Sequence, residues 1–142
     1  SLVLKALMFQ MTTDYHGDII FREAFKENPY YFKYDSQLVV YQGVDSICRL
    51  ADAYLTKSAS ETLTLGIGDF VYNGDISKWK KLNYAILAKN FHRFTNKAGM
   101  YNADSVIKYC DLAMGSVNDD FVIPFDATKN DDASFYGTYR NN

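Results

Sequence analysis

The stretch from Tyr72 to Ala113 constrains the fold more than any other part of the chain. It opens with the polar turn YNGD, continues as ISKWKKLNYAILAKNFHRFTNKAG, breaks briefly, and resumes as NADSVIKYCDLA. This pattern predicts two helices joined by a tight turn. Trp79, Leu82, Ile86 and Phe94 recur at helical spacing, and Tyr84, Leu87 and Phe91 form a second stripe beside them. A helix with apolar groups on two adjacent faces must be covered from two sides, so it belongs in a stacked helical array. The helix is expected to span about residues 76–97, with Trp79, Leu82, Ile86 and Leu87 deeply buried. Lys78, Lys80, Lys81 and Lys89 are expected to face water. A fully packed Trp79 would make Trp79→Ala cost about 3–5 kcal/mol.

The rest of the chain repeats the helical theme. Leu2 to about Tyr15 reads as a first helix with Leu4, Leu7, Met8 and Met11 as its apolar side, stopped by Gly17. Phe21 to Phe25 reads as a single turn, broken by Asn28-Pro29. Ser36 to about Lys57 reads as a second long helix, with Leu38, Tyr41, Val44, Cys48, Ala51 and Leu55 on one face. Leu63, Leu65 and Ile67 alternate with polar or small residues, which predicts a short extended run rather than a sheet, since no strand of comparable strength exists to pair with it. Asp75 is placed to cap the third helix, and Gly99 to terminate it. Asn102 or Asp104 opens a fourth helix with Val106, Cys110 and Ala113 inward, closed by Gly115. The expectation is an all-α protein of stacked, tetratricopeptide-like helical hairpins over residues 1–115, with irregular loops and an irregular extension over 116–142. A four-helix bundle is the alternative architecture. The chain opens in mid-helix and ends in an Asn-rich tail, so it reads as an excerpt of a larger protein.

Composition removes several function classes. The 15 basic and 17 acidic residues nearly cancel, which supplies no field for nucleic acid and no polybasic membrane signal. The opening SLVLKALMFQM is short and interrupted by Lys5 and Gln10, and it lacks the pattern of a signal peptide. Cys48 and Cys110 read as two buried free thiols without a metal spacing. His16 and His92 have no partner histidine at ligand spacing and read as surface imidazoles, so neither metal nor cofactor is expected. Asp69 and Asp75 flank one loop, but Asp75 is better explained as a cap than as half of a glycosidase pair. GIGDF lacks the third glycine or the lysine of a phosphate loop. Asp119, Asp120, Asp131 and Asp132 are too scattered for a calcium loop and read as solvated. The protein is therefore expected not to be an enzyme.

The high content of 12 Tyr and 10 Phe directs attention to contact surfaces. The densest cluster is Tyr30-Tyr31-Phe32-Lys33-Tyr34. Its rings either pack on the adjacent helices, the plainer reading, or stack on sugar rings, with Tyr30, Tyr31 and Tyr34 as the candidate ligand contacts.

Four segments, in order, resemble an internal stretch of the SusD-like (RagB/SusD) outer-membrane lipoproteins of Bacteroidetes. They are ALMFQMTTDYHGDIIFREAF (6–25), YFKYDSQLVVYQGVDSICRLADAYL (31–55), YNGDISKWKKLNYAILAKNFHR (72–93) and YNADSVIKYCDLAM (101–114). Gly74-Asp75 followed by Lys78-Trp79-Lys80-Lys81-Leu82-Asn83 is the most specific of these motifs. Two positions depart from the pattern: Ile20 stands where proline is usual, and Tyr84 where a small residue is common. The resemblance implies a tetratricopeptide-like core and non-enzymatic binding of glycans or other oligomeric nutrients at the cell surface. It further implies delivery to a SusC-like, TonB-dependent outer-membrane transporter. Membrane association would come from a lipid anchor outside these residues, as would much of the glycan-binding region. The alternative function is a helical-repeat scaffold that binds protein and carries no nutrient ligand.

Overall fold

The structure is a computed structural model and describes residues 1–27, 30–57, 66–123 and 125. Among the described residues, four helices make up the array: α1 (Leu2–His16), α2 (Gln37–Leu55), α3 (Ile76–His92) and α4 (Ala103–Leu112), with single 3-10 turns at Gly66–Gly68 and Val117–Asp119. Among the described residues, strand-like pairing is limited to an isolated antiparallel bridge between Ile19 and Asp35. The all-α expectation is met. The extended run expected around Leu63 and Leu65 lies outside the described residues, as does the Asn28-Pro29 break.

Several helix ends follow from side-chain chemistry visible in the sequence. Gly17 adopts φ 76° and returns its N–H to the Thr13 carbonyl at 2.9 Å, a left-handed stop that a side chain would resist. The Asp75 carboxylate accepts from the N–H groups of Ser77 and Lys78 and caps α3. Asn102 does the same for α4 through Ser105. The end of α3 differs from expectation. It closes at His92, and the chain tightens into i→i+3 bonds from Thr95 to His92 and from Lys97 to Phe94. Gly99, at φ 75°, lies in the turns beyond.

Helix α3 is covered on two sides, as its double stripe requires: α2 lies against one side, α4 against the other, and α1 touches it as well. Buried amides set the register. Asn83 donates to the Cys48 carbonyl and Asn90 to the Tyr41 carbonyl, each at 3.0 Å, so two turns down α3 correspond to two turns back along α2. These two helices are antiparallel. Gln10 donates to the Ile86 carbonyl at 3.0 Å, while Asp14 one turn later pairs with Lys89 and Arg93, so α1 runs parallel to α3. This alternation is that of stacked helical hairpins. The amides are buried, and each donates its NH2 to a main-chain carbonyl, which offsets part of the transfer cost, while the side-chain oxygens of Gln10, Asn83 and Asn90 find no partner among the described residues.

Val40, Val44, Cys48 and Ala51 from α2 meet Leu82, Ile86 and Leu87 from α3 in one apolar core. Fully burying each of the larger side chains contributes roughly 1.5–3 kcal/mol. Three expectations change in the packed structure. First, α1 turns its small and amide residues inward: Val3, Ala6, Gln10 and Thr13 are buried, whereas Leu4, Met8 and Met11 are exposed. Close helix approach favours Ala and Thr, and Gln10 gains a main-chain bond there. Second, α4 buries Tyr109 rather than Cys110, which is exposed. The Tyr109 ring stacks on Phe91 at 5.7 Å and on Tyr84 at 6.0 Å, so one large ring replaces the small inward stripe. Third, Trp79 is only half-buried, and Lys80 and Lys81, expected to face water, are partly buried against Asp52 and Asp119, whereas Lys89 is exposed as expected while it pairs with Asp14.

Candidate functional site

Asp69 and Asp75, the paired acids of the sequence, are occupied internally. One Asp69 oxygen accepts from the N–H groups of Val71 and Tyr72, both at 3.1 Å. The other accepts from Gly74 at 2.9 Å and from the Trp79 indole at 2.6 Å. Burial raises the Asp69 pKa, but these four bonds outweigh it and hold the carboxyl below its ordinary value. Asn73, at φ 52°, and Gly74, at φ 81°, form the left-handed corner that aims the N–H of Gly74 at the carboxylate. An acid so engaged is a loop anchor and has no free lone pair aimed at a substrate.

Asp119 belongs to the same construction. It was expected to be solvated, yet it is buried, bound by Lys81 at 2.9 Å and by the Gly115 N–H at 3.1 Å. Its main-chain carbonyl accepts from the Tyr72 hydroxyl at 2.9 Å, and Phe121 meets the rings of Tyr72 and Trp79 edge-on. Asp131 and Asp132 lie outside the described residues. His16 and His92 are exposed as expected, and no group of three or more metal-ligating side chains occurs among the described residues. Cys48 is a buried free thiol whose pKa burial and Asp45 push up to about 12, so it stays protonated and inert at neutral pH.

The aromatic loop between α1 and α2 is built in the opposite way. Its base is clamped at several points. Ile19 and Asp35 exchange main-chain bonds at 3.1 and 2.8 Å, and Asp18 accepts from the N–H of Gln37 at 2.9 Å. Asp35 is buried and receives both the guanidinium and the N–H of Arg22, which hold its carboxyl below the usual range. Phe21 lies against α2 directly over Gly43. A Cβ there would come within 2.1 Å of the ring, so the glycine makes room for it. Phe9 meets Phe21 edge-on at 4.8 Å.

Above this base the rings point to water. Tyr30 is 98%, Tyr31 90% and Tyr34 66% exposed, and Phe32 is also exposed. The plainer reading, in which these rings pack on neighbouring helices, does not hold for the three tyrosines. The same loop contributes Lys33 and Asp35 to a shallow polar depression of about 300 Å³, lined also by Arg22, Glu23 and Lys26 and by none of the tyrosines. Glu23 organises it, accepting from the Lys33 N–H at 2.8 Å and from the Lys26 ammonium at 3.0 Å, which lower its pKa. The charged rim was missed in the sequence, where Phe21 to Phe25 read only as a single turn of helix. Residues 21–26 do form hydrogen-bonded turns, Ala24 to Phe21 and Lys26 to Glu23. The clamp at Asp35 and the bond from the Lys33 N–H to Glu23 bring them opposite Lys33. Flat rings beside carboxylates and ammonium groups are the elements of a saccharide surface, because C–H faces stack and hydroxyls find both donors and acceptors.

Comparison with known proteins places this architecture. A family model described as SusD-like, starch-binding associating with outer membrane, matches residues 1–142. Among solved structures, a SusD/RagB family protein from Bacteroides thetaiotaomicron is 26% identical with a TM-score of 0.77, covering 88% of this chain and 26% of its own. A Bacteroides vulgatus protein assigned to the outer membrane and to nutrient binding is 26% identical with a TM-score of 0.75, covering 92% of this chain and 29% of its own. A chitin-binding SusD homologue from Flavobacterium johnsoniae is 27% identical with a TM-score of 0.71, covering 83% of this chain and 25% of its own. The chain thus spans between a quarter and a third of the length of these relatives. A search of curated proteins finds no match. With the family match running the whole length of the chain and the hairpin stack shared with solved members, the chain belongs to the SusD-like family.

Proposed function

We propose that the protein containing this chain binds glycans or other oligomeric nutrients without transforming them, and that it passes them to a SusC-like, TonB-dependent transporter in the outer membrane. In this reading it is a surface-exposed lipoprotein, held at the membrane by a lipid anchor outside the residues described. The described helices supply no span: none is long and apolar enough to cross a membrane. The observation that carries the proposal is the combination of SusD-like membership over residues 1–142 with three exposed tyrosines on a loop that also lines a polar depression through Lys33 and Asp35. Chitin binding by the Flavobacterium homologue supports the ligand class. It does not name the ligand of this chain.

Within the proposal, Tyr30, Tyr31 and Tyr34 form the stacking platform. Affinity electrophoresis against a polysaccharide panel tests it, with each tyrosine replaced by alanine. Slower migration in at least one polysaccharide gel, restored to free mobility by a ring deletion that leaves Tm unchanged, is the expected result. Release of reducing ends from any polysaccharide would instead place the protein among glycoside hydrolases.

The scaffold reading keeps one observation of its own. Leu4, Met8, Phe9 and Phe25 line an apolar depression of about 460 Å³ along α1, a surface suited to another helix. Failure of every glycan to bind, together with capture of a helical partner lost on Met8→Glu, would favour that alternative.

A further inference from the structure

The charges around the depression beside the aromatic loop do not cancel locally. Arg22 is neutralised by Asp35, and Lys26 by Glu23. The Lys33 main-chain N–H also goes to Glu23, but its ammonium forms no ion pair among the described residues. Glu27, the remaining acid of this turn, is not part of the lining. Both lining carboxylates are thus committed to the loop's own cations and main chain, which leaves one exposed ammonium on a segment whose neighbours, Phe32 and Tyr34, are exposed rings. A neutral sugar would find donors here but would gain nothing from that charge. A sugar carrying a carboxylate or sulfate would answer it.

Building on the proposed glycan reading, we infer that this site selects anionic saccharides, with Lys33 as the residue that holds the anionic group while a tyrosine of the loop stacks on the ring. The ammonium is a point charge with rotatable donors, so it accepts uronate and sulfate alike. Selectivity over the neutral sugar would then come from charge and would weaken as salt is raised.

The test uses the purified protein and four polymers in two matched pairs: polygalacturonate with its carboxyl-reduced galactan, and dextran sulfate with dextran. Binding is read by affinity electrophoresis and titration calorimetry at low and high NaCl. The expected result is preference for the anionic member of at least one pair, falling with salt. Lys33→Gln should bind that polymer roughly fivefold more weakly, Lys33→Arg should restore it, and neither should shift Tm. Which pair responds distinguishes uronate from sulfate. Equal binding of both members of each pair, unchanged by Lys33→Gln but lost on Tyr31→Ala, would overturn the anionic inference and leave the aromatic platform standing. Anion binding indifferent to Lys33→Gln would remove Lys33 from the site. Retention of none of these polymers, when another on the panel is bound through the tyrosines, overturns this inference alone. Retention of none on the whole panel overturns both.

Discussion

The turn that leads into α3 and the loop that leads into α2 are made of the same residue types and do opposite things with them. Around Asp69 the acids, the tyrosine and the tryptophan close on one another: Asp69 gathers three N–H groups and an indole, and the Tyr72 hydroxyl reaches the Asp119 carbonyl. Around Asp35 only the base closes, through Arg22 and the Ile19 bridge, while Tyr30, Tyr31 and Tyr34 stay in water. The first region holds the most specific motif in the chain, yet its polar groups are spent on folding. The second is a weaker motif with groups to spare for a ligand. A conspicuous motif therefore marks where structure is demanding, and the site has to be sought where partners are missing.

Substitutions test whether the two regions differ in this way. Leu87→Ala, which empties a fully buried position of α3, should cost about 3–5 kcal/mol in denaturant unfolding, the largest effect expected. Asp69→Ala should cost about 3 kcal/mol, since it strands three main-chain N–H groups and the Trp79 indole at once. A loss under 1 kcal/mol would mean that the turn holds itself together without its acid and that the contrast is misdrawn. Gly43→Ala should cost about 2 kcal/mol by driving the Phe21 ring off α2. Limited proteolysis should then cut the aromatic loop faster while leaving the α3 turn protected. Tyr31→Ala is the smallest in stability, with Tm unchanged, and its effect should be confined to ligand binding.

Acid offers a further discriminator. Asp14, Asp35, Asp69 and Asp119 all have folded pKa values below the ordinary aspartate value. Their stabilisation is fully present above the unfolded pKa of about 3.9 and is lost as pH falls through the lower folded values. Stability should therefore be flat near neutrality and decline below about pH 4 to 5, with the unfolded chain binding more protons. Asp69→Asn should flatten that decline relative to the wild type. An unchanged slope would remove Asp69 from the groups that couple folding to pH.

Much of the fold was legible because local chemistry determines it. Gly17 can stop a helix with a left-handed residue, Asp75 can cap one, and the spacing of Tyr41, Val44, Cys48 and Ala51 leaves α2 a single face to bury. The candidate site was legible in part. The cluster of rings could be read directly, but whether they pack or project, and which charges flank them, depends on the Asp35 clamp across the loop.

Local sequence sets the four described helices, the Gly17 stop, the Asp75 and Asn102 caps and the double stripe of α3, because these depend on neighbours within a few residues along the chain. The expected ends at Gly99 and Gly115 were not where α3 and α4 stop. Which face of α1 turned inward was settled by packing against α2 and α3. Leu4, Met8 and Met11 offered more apolar area, but Val3, Ala6, Gln10 and Thr13 allowed the closer approach and one of them a bond to the Ile86 carbonyl. Tertiary packing likewise decided that Tyr109 would be buried in place of Cys110, that Asp119 would be drawn in by Lys81, and that the loop tyrosines would be left free. Each of those outcomes rests on a contact between residues distant in sequence, and periodicity along one segment carries no information about what the facing segment presents.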